Sequence, residues 1–312
     1  AVGLTLDRIV GQDVTVTILK RSLAQNTLAH AYLFSGPPGL GKRTTAEAVA
    51  EELLRRGGKN SELHILEGTG SIGVDQIRAL RRRAAYATSS NLIWIIKDAE
   101  RMTVPACNAF LKTLEEPQKG TYFFLTTTNV HNLLPTIISR CQHLPFRTIA
   151  AEQIELWLAE RGSAEPGDPR IKAVTRLARG SLGRARDYWE GPLLQQRAEI
   201  LEKIISVPTA GYPEVLGMSY SWPENREEIF SDLQLILEWH RDLLTVKSDR
   251  GLPLYHPDYE QELIRISNYY SSSYLLWLIQ QVAEMRRALQ GNARIRFCLG
   301  YLLLLMKKGA LT

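Results

Sequence analysis

Leu33-Phe34-Ser35-Gly36-Pro37-Pro38-Gly39-Leu40-Gly41-Lys42-Arg43-Thr44 runs from an apolar strand into a glycine-rich turn and then a helix. Gly36 and Gly41 frame four residues, Gly39 among them. That spacing lets backbone N–H groups converge on a phosphate at a helix N-terminus while Lys42 reaches the terminal phosphates. One position is wrong for an active site. The residue after the lysine should carry a hydroxyl to hold magnesium, and here it is Arg43, with Thr44 and Thr45 one and two places late. A Gly/Pro-rich turn between strand and helix is the bland alternative, but the full strand–loop–lysine–helix order favours a degenerate phosphate loop.

Upstream, Leu4–Gln12 leads into a helix predicted over Val14–Asn26, with Val14, Ile18, Leu19 and Leu23 at helical spacing. Strand Ala31–Phe34 feeds the loop, and the loop's helix runs over Lys42–Arg56 to a stop at Gly57-Gly58. Downstream come a short strand Leu63–Leu66, a helix from Asp75 through Arg81-Arg82-Arg83 to Ala87, and the wholly apolar strand Leu92–Ile96. Thr103 caps a helix with Pro105 in its first turn; Val104, Cys107, Leu111 and Leu114 are its expected buried stripe before Glu115-Glu116-Pro117 stops it. Strands Tyr122–Thr126 and Gln142–Phe146 complete the set. Strands alternating with helices imply parallel pairing, so residues 1–148 are predicted to form an α/β domain on a five-stranded parallel sheet. Everything beyond reads helical. A small module is expected over 149–190, with helices Ala151–Arg161, Pro169–Ala178 and Leu182–Tyr188 and a loop at Ala164–Pro169. An all-α domain is expected over 191–312, from Leu193–Ile205 through Arg226–Val246, Tyr259–Ser267 and Ser273–Leu289 to the apolar Phe297–Met306.

The 312 residues, 45% hydrophobic and 23% charged, suit two or three domains of an ordinary globular protein. The longest apolar run, Phe297–Met306, is too short to cross a bilayer and no signal peptide is recognisable, which predicts a cytosolic protein without a membrane partner. Cys107, Cys141 and Cys298 are far apart and form no CxxC pair, so they are expected to be small core residues, not disulfide partners or zinc ligands. A net charge of +5 is compatible with nucleic-acid contact and falls short of showing it. Arg81-Arg82-Arg83 is equally compatible with a solvated helix face.

A phosphate-loop ATPase needs an acidic residue at the end of a neighbouring strand to hold magnesium, followed by a glutamate to polarise water. After Leu92–Ile96 stand Lys97-Asp98, a cation where the metal should sit and a shortened base. With Arg43, two positions of one constellation are lost, which argues against efficient hydrolysis. The other register, with Asp98 as metal ligand and Glu100 as base, stays open on sequence alone.

Ala29–Gly36, the phosphate loop, Asn108-Ala109-Phe110-Leu111-Lys112-Thr113-Leu114-Glu115-Glu116-Pro117 and Leu133–Cys141 with Ser139-Arg140-Cys141 together resemble the AAA+ subunits of sliding-clamp loaders, over the whole chain. Trp239-His240-Arg241-Asp242-Leu243-Leu244 and Asn292 resemble the family's C-terminal domain more weakly. The resemblance implies an AAA+ domain, a helical lid and a helical collar, in a subunit of the bacterial DNA polymerase III clamp loader. It implies that Arg140, flanked by Ser139, is an arginine finger reaching the ATP of a neighbouring subunit; a helix-capping surface arginine is the alternative. It also implies a polar sensor at Thr127 or Thr128 and a second sensor near Gly180–Arg184, where the arginine falls one residue late. Gly36, Gly39, Gly41, Lys42, Arg43 and Thr44 would form a degenerate loop beside a degenerate Lys97-Asp98 acidic motif, with ATP bound weakly if at all. The implied partners are motor subunits of the gamma/tau type, a delta-type subunit, the sliding clamp and primed DNA. The family's four-cysteine zinc module is replaced by Gly57–Ser61, so no metal is assigned. Two rivals remain: an active ATPase motor subunit using Lys42, Asp98 and Glu100, and an AAA+ adaptor unrelated to replication.

Overall fold

The computed structural model describes residues 4–68, 70–86, 90–161, 168–222, 225–248, 251–290 and 294–310. Five strands, β1 (Ala31–Ser35), β2 (Glu62–Leu66), β3 (Leu92–Ile96), β4 (Thr121–Thr127) and β5 (Gln142–Pro145), form one parallel sheet in the order β2-β3-β4-β1-β5. Between them lie α1 (Asp13–Ala24), α2 (Lys42–Gly57), α3 (Val74–Tyr86), α4 (Val104–Glu115) and the single turn α5 (Pro135–Ile138). Alternation of side chains along a strand divides the apolar residues between two faces. Leu33, Trp94, Ile96, Phe123 and Leu125 pack with α3 and α4, while Tyr32, Phe34, Ile93, Ile95 and Phe124 pack with α1 and α2. This is the α/β fold on a five-stranded parallel sheet that the sequence predicts, and the strand order is new.

The helix stripes differ from expectation. In α4 the buried residues are Ala106, Cys107, Phe110 and Leu114, and Val104 is 60% exposed. Phe110 sets its ring edge-on against Phe123 at 5.2 Å, and a helix turned to make that contact carries Val104 outward. In α1 likewise Thr15, Val16, Leu19 and Leu23 are buried and Val14 is 76% exposed. Of the cysteines only Cys107 is buried, with Cys141 and Cys298 half-buried.

The remaining helices are α6 (Ala151–Arg161), α7 (Pro169–Ala178), α8 (Leu182–Glu190), α9 (Leu193–Ser206), α10 (Tyr212–Tyr220), α11 (Arg226–Ser248), α12 (Glu260–Ser267), α13 (Ser272–Gln290) and α14 (Ile295–Gly309). The helix α10 was not foreseen. Most of the loop expected at Ala164–Pro169, the helix end at Ala87 and Asn292 lie outside the described residues. The chain forms two compact units, one of residues 1–154 with 179–184, the other of 155–178 with 185–312. In the second, the Trp239–Leu244 motif has a structural role. Trp239, His240, Asp242 and Leu243 are buried, and the Asp242 carboxylate accepts from the backbone N–H of Tyr255 (3.0 Å) and His256 (2.7 Å). Arg197, also buried, donates to both carboxylate oxygens of Asp258 at 2.8 and 2.7 Å. No described helix is long and apolar enough to cross a membrane.

Candidate functional site

The β1 strand ends at Ser35, and Gly36, Gly39 and Gly41 follow with φ of 138°, 76° and 87°, left-handed values that glycine alone adopts freely. The Gly36 N–H donates to the Thr127 carbonyl (3.2 Å), so the loop leaves the sheet tied to the end of β4. The loop's carbonyls are held by its own unit. Lys42 Nζ donates to those of Gly36 (2.5 Å) and Pro37 (2.7 Å), Ser181 Oγ to Pro38 (3.2 Å) and the Gly183 N–H to Gly39 (2.9 Å). Burial lowers the Lys42 ammonium below the usual lysine range, against the upward pull of Glu100 and Asp98.

The two positions expected to spoil the metal site do meet. Lys97 Nζ pairs with Glu67 Oε2, and Arg43 Nη1 lies 4.0 Å from the same oxygen while Arg43 Nε donates to Glu47 at 2.5 Å. The hydrogen bond from Lys97 holds the Glu67 carboxyl below its ordinary range, as the bond to Glu47 raises Arg43. The hydroxyls that could stand in for the missing ligand are unsuited: Thr44 is exposed and Thr45 Oγ1 donates to the Gly41 carbonyl at 2.8 Å. A guanidinium and an ammonium about one carboxylate do not fit a divalent cation. The loop glycines and Lys42 do fit phosphate. Asp98 stands at φ 49° just past β3, its N–H on Thr126 Oγ1 (3.3 Å). Both sensor candidates converge on Glu100: Thr128 donates to it through N–H (3.0 Å) and Oγ1 (2.6 Å), while buried Thr127 accepts from the Asn129 N–H (3.1 Å). Burial would raise the Glu100 carboxyl, but hydrogen bonds from Thr128 and Thr127 outweigh it and hold it low.

Arg140 follows α5 and precedes β5. Its Nε and Nη2 donate to Glu115 Oε1 at 2.9 and 2.5 Å, and Nη1 donates to the Thr136 carbonyl at 2.9 Å, with Ser139 Oγ at 3.4 Å. Ser139 Oγ itself donates to the Thr136 carbonyl (3.2 Å). The parallel register puts Tyr32 beside Gln142 and Ser35 beside Pro145. Arg140 therefore belongs to the end of the sheet where β1 begins, and four residues of strand, about 13 Å, separate that level from Gly36.

A sequence profile of the family described as "DNA polymerase III, delta subunit" matches residues 11–150. DNA polymerase III subunit delta' of Bacillus subtilis is 28% identical over 323 residues, covering 96% of this chain and 97% of that protein. Along nearly its whole length the chain is thus similar to a DNA polymerase III subunit. Subunit tau of B. subtilis is 34% identical over 222 residues, 65% of this chain, which spans only 39% of tau's length. A solved gamma subunit-related protein of Thermotoga maritima overlays with a TM-score of 0.49 at 19% identity, covering 94% of this chain and 99% of that one.

Glu67, Glu115, Ser181 and the Gly39–Gly183 approach were not singled out from sequence. Glu67 had a signal, as the acidic residue closing the strand next to Lys97. For Glu115 the signal was its place in the motif that ends α4, and for Ser181 and Gly183 their place in the Gly180–Arg184 segment; nothing local marked the approach to Gly39.

Proposed function

We propose that this chain is a non-hydrolysing subunit of a bacterial clamp loader, similar in role to delta', that assembles with motor subunits of the tau/gamma type and a delta-type subunit. In this reading residues 1–148 are the AAA+ domain, 149–190 the lid and 191–312 the collar. It donates Arg140 to the ATP of a neighbouring subunit while a sliding clamp is placed on primed DNA. The observation that carries this is the separation of Arg140 from the chain's own phosphate loop by the length of β1, so that the guanidinium serves another chain's phosphates or none. Arginine supplies a planar fork of donors that grips two phosphate oxygens where charge develops in phosphoryl transfer, which lysine does not. Arg43 and Lys97 beside Glu67 support the loss of metal-assisted hydrolysis in cis. Exposed Tyr212, Leu216 and Tyr220 on α10, with Phe297 and Tyr301 on α14, are apolar surface suited to assembly.

The test is DNA-stimulated hydrolysis and clamp loading by a reconstituted complex carrying Arg140→Ala or Arg140→Lys. The served site should slow on the order of 10³-fold, total hydrolysis less because other sites continue, and loading more. Wild-type rates with both variants would make Arg140 a structural cap. A second reading, hydrolysis in cis, draws on the proximity of Asp98 and Glu100 to Lys42; the isolated chain's own turnover separates the two.

A further inference from the structure

The Arg140 guanidinium is held on two sides by its own chain, and the way it is held leaves part of it free. An arginine head has five N–H donors in one plane: an edge shared by Nε and Nη2, an end-on fork shared by Nη1 and Nη2, and a last hydrogen on Nη1 that points back along the side chain. Glu115 Oε1 takes the Nε/Nη2 edge, and Nη1 donates to the Thr136 carbonyl and, at 3.4 Å, to Ser139 Oγ. The second Nη2 hydrogen has no acceptor among the described residues, and the arginine side chain is 32% exposed. Held this way, the head keeps its plane and leaves the Nη2 hydrogen of its end-on fork for a phosphate oxygen. Glu115 closes α4, whose Phe110 and Leu114 are anchored in the core, and Thr136 lies in α5. The guanidinium thus spans two elements instead of swinging from one backbone point.

Resting on the trans-acting reading of Arg140, we infer that Glu115 is a positioning residue for this finger: its carboxylate pre-orders the guanidinium so that it reaches the neighbouring site without a conformational search. An ion pair this exposed adds little to stability. It is visible to catalysis, because misplacing a group by about 1 Å can cost on the order of 100-fold.

The experiment uses the reconstituted complex with Glu115→Ala, Glu115→Gln and Arg140→Ala, reading kcat and KM for ATP at saturating clamp and DNA, with the melting temperature of each variant chain alongside. Glu115→Ala should lower kcat at the served site about 10-fold with little change in KM and unchanged melting. Glu115→Gln, whose amide oxygen still accepts from Nε and Nη2, should recover to within about 3-fold of wild type. If Arg140→Ala slows the complex while Glu115→Ala behaves as wild type, the finger acts but Glu115 does not position it, and the inference falls alone. If Glu115→Ala is faster than wild type, the carboxylate withholds the finger and the inference is overturned. If Arg140→Ala is itself silent, the trans-acting reading fails and takes the inference with it.

Discussion

His240 sits wholly buried in α11 with Nδ1 2.6 Å from the Ile236 carbonyl, and burial pushes its imidazole down to about 4. Its folded value lies below the ordinary 6.5 of the unfolded chain. As pH falls from about 6.5 toward 4, the unfolded chain takes up a proton that the folded chain refuses. Stability present above pH 6.5 is therefore lost on the acid side, by up to about 1.4 kcal/mol per pH unit. Asp232 and Asp242, raised by burial to about 6, act oppositely: between the unfolded value of 3.8 and about 6 the folded chain holds the extra proton, and stability falls as pH rises. His240→Leu removes one term from this opposition. In urea unfolding of the full chain at pH 4.5, 5.5 and 6.5, the variant should lose about 2 kcal/mol less than wild type between the extremes. Parallel curves would mean that His240 is not held neutral by its surroundings. At the phosphate loop, residue types were enough to mark two cationic positions, since Arg43 and Lys97 stand at fixed offsets within legible motifs. Their pairing with Glu67 was not legible, because Glu67 follows β2 and only the register of β2 on β3 brings it beside Lys97.

At the level of elements, sequence gave good helix and strand limits and poorer facing. Helical spacing defines a stripe but does not say which of two adjacent ridges meets the sheet, and in α1 and α4 small side chains, Thr15 and Ala106, lie on the inner ridge where the backbone comes close. The meeting of the phosphate loop with residues 179–184 was likewise beyond local pattern, since those segments are some 140 positions apart in the chain. Gly183 opens the first turn of α8 against Gly39, and a Cβ on Gly183 would lie 2.8 Å from the Gly39 Cα, a backbone atom with little freedom to yield. Gly183→Ala should therefore cost about 1–3 kcal/mol and speed hydrogen exchange at the Gly183 amide, whose bond to the Gly39 carbonyl would be broken. Unchanged melting together with unchanged exchange would show that this approach is not tight in solution.

For the molecule as a whole, the alternation of strands and helices was enough to predict the α/β sheet, because parallel pairing with crossovers follows from connectivity. The sheet's order and the two-unit division depend on long-range packing that no window of sequence contains. The isolated chain should turn over ATP far more slowly than on the order of 1 per second, with Lys42→Ala making no difference; a rate near that value, abolished by the substitution, would reinstate hydrolysis in cis. A parallel sheet also has unlike ends, and here the phosphate loop stands at one and Arg140 at the other. In the role proposed for this chain, contacts made through such a pair would be directional, each subunit giving from one side and receiving on the other, so that the assembly would have a polarity like that of a polymer strand. A member able to give but unfit to receive is a chain terminator in that strand: it completes the active site beside it and opens none of its own. An assembly containing one such member has fewer working sites than subunits, and a fixed place from which they are counted.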